Sequence, residues 1–402
     1  MDKFTHSFFI SLLFLYTFSI IDMVIYMKKI TFLIKHLGYG GITKTTITLA
    51  NLLVQKFNVE IIATFKLYSE SPYTIDEKVS LKYLIEDLKP NKKEVDFYKG
   101  NKNYSKYFKE LFKSIKIRAL SDRLMIKTIK NLDSDVVITT RSYYNYLVSK
   151  YAPENVRKIA WEHLHHNNDI KYINKLVESC ENINSLVLVS NELKDFYKEK
   201  LGNKVEFIPN CLENVSRKLS KLDTLNIVSS GRLAKEKGFD DLLKIFKKVS
   251  NKFPEAKLNI VGDGMERNNL LELAKELKLG DKVEFHGYQN NEYINELLQD
   301  SSLYVMTSLT ESFGLGLIEV MNYGIPCISY SSAQGANEII RNEENGFIIQ
   351  DRNEEEMINK ICLVLEDEKL RKKLGKQARE TAKEYSSDVV LDKWIKLINK
   401  RK

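Results

Sequence analysis

From Met27 onward, short apolar runs rich in β-branched residues alternate with stretches of helical periodicity. This alternation predicts parallel sheets with helices on both faces. In the first half we predict strands at 29–35, 59–66, 135–141, 157–163, 185–190 and 205–209, with helices between them, for example at 43–57. After a polar stretch the alternation restarts, with strands predicted at 225–229, 257–261, 282–286, 303–307 and 327–330.

The pattern predicts an α/β protein with two doubly wound, Rossmann-like domains. A chain of 402 residues is also too long for one ordinary core. We place the first domain at 27–215 and the second at 216–385, joined near 211–224, and we expect a helix in 386–402 to pack back on the first domain. Ligands of such folds bind beyond the carboxyl ends of the strands, so the candidate chemistry is sought there.

Residues 1–26 differ from the rest of the chain. The run 8–26 is apolar and about long enough to span a bilayer, although Asp22 is costly within it. Lys3 is the only basic residue ahead of this run, which argues against a signal peptide. Three interpretations stay open: an upstream start that adds a dispensable leader before Met27, a membrane anchor, and an unstructured extension.

The segment 103–130 has the pattern of one long helix with a basic face. Its apolar positions include Tyr104, Phe108, Leu111, Phe112 and Ile115. A basic amphipathic helix can lie on an anionic membrane surface. The alternative, which we favour from the sequence, is that the apolar stripe packs on the sheet and the lysines are solvated.

Composition is that of a soluble globular protein, with 43% hydrophobic and 29% charged residues. The net charge of +8 partly reflects a general abundance of lysine, and no nucleic-acid partner is expected. The cysteines are scattered and lie outside any metal-ligand spacing, which favours a reducing, cytoplasmic compartment over disulfides or zinc; they are Cys180, Cys211, Cys327 and Cys362.

The stretch GYGGITKT (38–45) resembles a phosphate-binding P-loop at first sight. A P-loop requires glycine directly before its lysine, so that backbone amides can curl round a phosphate. Thr43 stands before Lys44, and a β-branched residue is poorly suited to the positive φ that glycine accepts. What remains is a turn at Gly38, Gly40 and Gly41 before a helix, which is either an anion site or a plain connection.

Four features lie at predicted strand ends in the second half. Gly231-Arg232 follows the first of these strands and Lys237-Gly238 precedes a helix, and an arginine fork and a lysine on one loop suit a diphosphate. Taken singly such signals are weak, because glycines at strand ends usually form turns and helical glutamates are usually solvated. The other three features are the turn Gly262-Asp263-Gly264, the sequence His286-Gly287-Tyr288, and the segment 306–328 with Glu311, Gly314, Gly316 and Glu319.

Together, these motifs resemble those of the GT-B glycosyltransferases of family 4, also called group 1 glycosyltransferases. The E-x7-E signature corresponds to Glu311 and Glu319, and the S-x-G-R…K-G element to Ser229 through Gly238. The resemblance is close over 225–349 and continuous but weaker over 27–209. It implies two Rossmann-like domains facing a central cleft, with the acceptor on the first domain and the nucleotide sugar on the second.

The resemblance also implies roles for residues of the second domain. Arg232 and Lys237 are expected to hold the donor diphosphate, and Glu319 is expected to bind the ribose. Glu311 is expected to face the donor sugar and the distal phosphate. The remaining expected donor contacts are made largely by main-chain atoms, at Gly231, Gly262, His286, Gly287, Tyr288, Phe313, Gly314 and Leu315.

In the first domain, IAWEHLHHNN (159–168) matches the strand end at which many relatives have W-E-H. His163 is therefore the expected active-site histidine, with His165 and His166 as rivals and a solvated histidine cluster as the alternative. Gly40 and Gly41 are expected to line the cleft near the donor phosphates. The chain departs from the family at Thr43, where relatives often have an acidic residue, and around Gly335, where they commonly have an earlier Asp and a following Pro.

The implied reaction is a retaining, metal-independent transfer of a hexose from a nucleotide diphosphate sugar, UDP-linked by expectation. The expected acceptor is a glycan or a lipid-linked glycan of the cell envelope, with contact to the inner face of the membrane. Nothing in the sequence identifies the sugar or the linkage formed. A nucleotide-sugar epimerase of the same fold, a P-loop ATPase and a non-catalytic GT-B subunit are the alternatives, and the ATPase is disfavoured by Thr43.

Overall fold

The structure is a computed structural model that describes residues 27–213, 215–216 and 218–400. The predicted leader at 1–26 lies outside the described residues. Within them, the first domain has a parallel sheet in the order β3-β2-β1-β4-β5-β6-β7. Its strands are β1 (Lys29–Ile34), β2 (Asn58–Phe65), β3 (Ser80–Ile85), β4 (Val136–Thr139), β5 (Arg157–Glu162), β6 (Ser185–Leu188) and β7 (Val205–Phe207).

Helices connect these strands as the alternation predicted. The strands β1, β4, β5 and β6 are almost wholly buried, which is expected where helices cover both faces of a parallel sheet. The helices are α1 (Gly41–Leu53), α2 (Lys92–Gly100), α3 (Tyr104–Lys130), α4 (Ser142–Tyr151), α5 (Ile170–Ser179) and α6 (Asn191–Leu201).

The second domain, after residue 224, contains a second parallel sheet in the order β10-β9-β8-β11-β12-β13. Its strands are β8 (Asn226–Ser230), β9 (Lys257–Val261), β10 (Val283–Gly287), β11 (Leu303–Met306), β12 (Cys327–Tyr330) and β13 (Gly346–Ile349). Its helices are α7 (Phe239–Lys252), α8 (Arg267–Glu276), α9 (Asn291–Gln299), α10 (Leu315–Met321), α11 (Ala336–Ile339), α12 (Glu354–Glu366) and α13 (Glu368–Lys383).

The sequence analysis missed β3 and β13. Both are edge strands of their sheets. The strand β3 is largely exposed, and β13 is only four residues long and begins with a glycine. Short or half-polar runs of this kind lack the apolar periodicity on which strand prediction depends.

The last helix, α14 (Ser387–Asn399), contacts the first domain. Its buried Trp394 packs edge-to-face on Trp161 of β5, with 4.9 Å between the ring centroids. Beyond its end, the carbonyl oxygen of Lys400 accepts a hydrogen bond from Arg157, at 2.9 Å. The chain therefore crosses from the second domain back to the first, which ties the two together at a second point besides the connection near 211–224.

The expectation that the apolar stripe of α3 packs on the sheet is wrong for the first half of the helix. Tyr104, Phe108, Phe112 and Ile115 are all exposed. The helix is buried through its second half, at Ile117, Ser121, Met125 and Ile129. The physical reason is length: 27 residues rise about 40 Å, roughly twice the span of the strands beneath. Among the described residues, no helix has the length and apolar character needed to cross a membrane.

Candidate active site

The loop after β8 and the loop after β11 meet through an ion pair. The ammonium group of Lys237 bonds the carboxylate of Glu311, and both side chains are about four-fifths buried. Lys237 ends a short 3₁₀ turn at 235–237, and Gly238, with a φ of 61°, turns the chain into α7. Two predicted site residues that are 74 positions apart are thus brought into contact at the carboxyl edge of the second sheet.

Backbone contacts hold the Glu311 loop in place. The carbonyl oxygen of Glu311 accepts a hydrogen bond from the amide of Gly335, at 2.8 Å. A Cβ atom at Gly335 would lie 2.4–2.5 Å from backbone atoms of Phe313, so only glycine permits this approach. The Arg352 guanidinium donates to the carbonyl oxygens of Thr307 and Ser308, which fixes the start of the same loop.

Arg232 lies on the same loop as Lys237 but its side chain takes another direction. It is 68% exposed and forms an ion pair with Glu236, at 2.6 Å. Exposed pairs of this kind contribute only about 0.2–1 kcal/mol. Little free energy therefore opposes the release of this guanidinium to an anion in the cleft.

The GDG turn and the HGY sequence form one surface at the ends of β9 and β10. The amide of Gly262 donates to the carbonyl oxygen of Gly287, at 2.8 Å. Gly262 has a φ of 126°, and a Cβ there would lie 2.0 Å from the carbonyl oxygen of Gly231. The His286 ring is turned inward, between Asn259 (2.9 Å) and the Tyr293 hydroxyl (2.7 Å), which leaves only the main chain of this segment to face the cleft.

A second ion pair crosses between the domains. Lys44 of α1 bonds the carboxylate of Glu319 on α10, and both side chains are about two-thirds buried. The negative charge of Glu319 raises the pKa of Lys44, so the lysine is fully charged at neutral pH. The lysine of the P-loop-like stretch thus contacts the carboxylate that was predicted to bind ribose.

The first-domain glycine loop touches the donor loops at two further places. A Cβ at Gly41 would lie 3.5 Å from the side chain of Leu315, which places the loop against the start of α10. The Tyr39 ring stacks on Tyr288 with 4.1 Å between centroids. Gly40 has a φ of 140°, and its amide donates to the Tyr73 hydroxyl at 3.2 Å.

His163 follows the last residue of β5 and is buried beside Trp161, at 4.3 Å between ring centroids. Burial lowers its pKa to about 3, so its imidazole is neutral at physiological pH. The buried Glu162 carboxylate accepts the backbone amides of His163 and Leu164, at 2.9 and 3.0 Å, and this holds the turn. His163 Nε2 is buried without a hydrogen-bond partner among the described residues.

The rival histidines have other partners. The His165 ring contacts Asn167 at 2.9 Å and Glu192 at 3.3 Å. His166 stacks on Phe196, at 4.1 Å between centroids. The His165 amide also donates to the Ser312 hydroxyl at 2.7 Å, which brings the histidine loop against the loop that carries Glu311.

Three residues at the cleft escaped the sequence analysis. Lys44 was noticed only as part of a failed P-loop, and Tyr39 carried no signal beyond its place in the glycine turn. Arg141 follows β4, and its Nε is buried without a partner among the described residues. In the parallel register Leu33 pairs with Thr139, so Arg141 and Lys35, two positions further on each strand, extend from the same edge. A search for cations just after each predicted strand would have found Arg141.

Two parallel-sheet domains, joined by contacts between loops at the carboxyl ends of their strands, define the GT-B architecture. Residues 212–381 match the family model described as "Glycosyl transferases group 1", which confirms the predicted resemblance. The chain carries a group 1 glycosyltransferase module over its second domain, and glycosyltransferase activity is supported. Assignment to family 4 in particular stays a prediction.

Full-length relatives agree. The chain is 29% identical over 380 residues to an uncharacterised glycosyltransferase of Haemophilus influenzae, covering 92% of this chain and 99% of that protein. It is 26% identical to a Campylobacter jejuni protein named N-acetylgalactosamine-N,N'-diacetylbacillosaminyl-diphospho-undecaprenol 4-alpha-N-acetylgalactosaminyltransferase, covering 89% and 96%. The Staphylococcus aureus TarM structure, solved with fondaparinux, alpha-GlcNAc-glycerol and UDP, has the same fold, with a TM-score of 0.74, 17% identity and coverage of 93% and 100%.

Proposed function

We propose that the protein transfers a hexose, with retention of configuration, from a UDP-linked sugar to a hydroxyl group of a glycan or lipid-linked acceptor in envelope polysaccharide or glycolipid synthesis. The observation that carries the proposal is the Lys237–Glu311 pair at the strand ends. It places a fixed cation and a carboxylate where the GT-B fold binds a nucleotide sugar. The UDP in the TarM structure and the lipid diphosphate in the Campylobacter protein's name support the choice of donor and acceptor class.

Charge development explains the chemistry. As the bond between the anomeric carbon and the diphosphate breaks, negative charge grows on the leaving oxygen. Lys237 is in position, and Arg232 is weakly held on the same loop, so the two cations stabilise the transition state more than the ground state. We propose that these two cations serve without a divalent metal.

The other site residues fit around this centre. Glu319 accepts the ribose hydroxyls, and Glu311 orients the sugar once Lys237 turns to the phosphates. The neutral His163, with an Nε2 that has no partner among the described residues, donates to or accepts from a hydroxyl group of the transferred sugar. Closure of the cleft over these groups excludes water and limits hydrolysis of the donor.

The test is transfer of isotope-labelled sugar from a panel of UDP, GDP and ADP sugars to lipid-linked and glycan acceptors. Glu311→Gln is compared with wild type, and Glu355→Gln, at an exposed position of α12, is the matched control. We expect loss of transfer in Glu311→Gln alone, and no effect of a chelator on wild type. Equal transfer by Glu311→Gln and wild type contradicts the site, and donor interconversion without acceptor supports the epimerase instead.

A further inference from the structure

The first half of α3 exposes an apolar stripe that no described part of the chain covers. Tyr104, Phe108, Phe112 and Ile115 are between 53% and 64% exposed. Their spacing of four, four and three residues places them on one side of the helix. Four large apolar side chains in a row on a helix surface mark an interaction site rather than scattered surface hydrophobics.

A row of lysines runs beside this stripe. Lys109, Lys113 and Lys116 each follow a member of the stripe by one residue, so they lie about 100° round the helix from it. A groove lined by these lysines, Phe112, Leu88 and Leu120 separates the helix from the preceding segment. We call the stripe and the lysine row together the α3 face.

The charge of the protein is concentrated here. Residues 88–120 contain ten Lys and Arg against three Asp and Glu, a net charge of +7 out of +8 for the whole chain. The remaining 369 residues are therefore close to neutral. General lysine-rich composition does not explain this distribution, because it would spread the excess along the chain.

The α3 face also has a defined position relative to the cleft. Ile117 packs in one small cluster with Phe65 and Ile85, the last residues of β2 and β3. The helix runs antiparallel to the strands, so residues 104–116 project past the carboxyl ends of the first sheet. The projecting half therefore lies on the side of the domain that faces the cleft.

We propose that the α3 face docks on the surface of an anionic phospholipid bilayer. The apolar stripe enters the headgroup region and the lysine row pairs with lipid phosphates, the arrangement that suits an amphipathic helix lying in the interface. The charge favours this occupant over two others. A second copy of the chain would set lysines against lysines. The apolar run 8–26 offers a single carboxylate, Asp22, to ten basic side chains.

The test is co-sedimentation of the full chain with vesicles of phosphatidylcholine alone and of equal parts phosphatidylcholine and phosphatidylglycerol. We expect binding to the anionic vesicles only, weakened by added salt. The triple variant Lys109→Gln/Lys113→Gln/Lys116→Gln should bind about 100-fold more weakly, since each lysine near an anionic surface is worth a factor of about 5. Phe108→Ser/Phe112→Ser should also lose binding, because the apolar stripe no longer inserts.

The matched control is Lys369→Gln/Lys373→Gln/Lys376→Gln, which removes three exposed lysines at the same spacing from α13. It should bind like wild type, and all variants should keep the wild-type unfolding temperature. A chain starting at Met27 should retain the charge-dependent binding. Equal binding to both vesicle types, an equal loss in both triple variants, or no binding by the chain from Met27 overturns the proposal. Absence of binding to any vesicle would likewise overturn it, in favour of an acidic protein partner.

Discussion

Lys44 and Glu319, 275 positions apart in the chain, form an ion pair that links α1 of the first domain to α10 of the second. The pair lies between the glycine loop and the donor loops, where Gly41 touches Leu315. Because the pair is partly buried, it is screened less than a surface pair. It compensates the charge of a carboxylate beside the predicted site of two phosphates.

Replacing Lys44 should therefore weaken nucleotide binding. In Lys44→Met, the Glu319 carboxylate keeps its charge without a partner and repels the diphosphate. We expect UDP to bind about 10-fold more weakly, in the range of a broken partly buried charge contact, while uridine changes less. Isothermal titration of both ligands measures the effect.

The double variant Lys44→Met/Glu319→Gln should recover part of this loss, since it removes the uncompensated charge. Lys56→Met, at an exposed position just beyond α1, is the control and should bind UDP like wild type. Tighter UDP binding by Lys44→Met would contradict this account of the pair.

Lys237 should matter more for the rate than for affinity. Lys237→Met removes a cation aimed at the leaving group, and we expect kcat to fall by about 10²–10³-fold with a smaller rise in the donor KM. Lys235→Met changes an exposed lysine of the same 3₁₀ turn and should leave both constants unchanged. Steady-state kinetics with saturating acceptor distinguish the two, and identical constants for Lys237→Met and wild type would exclude the proposed role.

Gly335 should tolerate no side chain. Its φ is −62°, so a methyl group there acts only by its clash with the backbone of Phe313. We expect Gly335→Ala to lower the free energy of unfolding by about 1–3 kcal/mol and to reduce activity by displacing Glu311. Gly100→Ala meets nothing within 4 Å and should be neutral or slightly stabilising. Chemical denaturation of both variants checks the difference, and equal stabilities would show that the loop yields without strain.

His163 should make the fold sensitive to acid. Its folded pKa of about 3 is below the ordinary value of 6.5, so the unfolded chain takes up the proton first as the pH falls. This contribution to stability is complete above pH 6.5 and falls by up to about 1.4 kcal/mol per pH unit toward pH 3. Burial raises the pKa of the neighbouring Glu162, which acts in the opposite sense.

The comparison of wild type with His163→Gln isolates the histidine, because Glu162 is present in both proteins. The free energy of unfolding, measured by denaturant titration at a series of pH values, should fall less steeply in the variant between pH 6.5 and 3. Parallel curves would mean that His163 titrates normally in the folded protein.

Local pattern was enough to predict the two-domain α/β architecture and the strand-end motifs. Nearly all predicted strands lie within two or three residues of those observed, because buried parallel strands are continuous apolar runs bounded by turn residues. The GDG turn and the Glu311 loop were found for the same reason: close backbone approach requires glycine at fixed places. The edge strands β3 and β13 escaped, because one side of each is left without a neighbouring strand.

The sequence by itself determined where the elements and the glycine-dependent turns lie, since these follow from periodicity and backbone sterics within a few residues. Only the tertiary structure decided that Lys44 meets Glu319, that Arg232 pairs with Glu236, and that the α3 stripe is left exposed. An ion pair depends on where two distant segments are placed. An apolar stripe has the same spacing whether a sheet covers it or not.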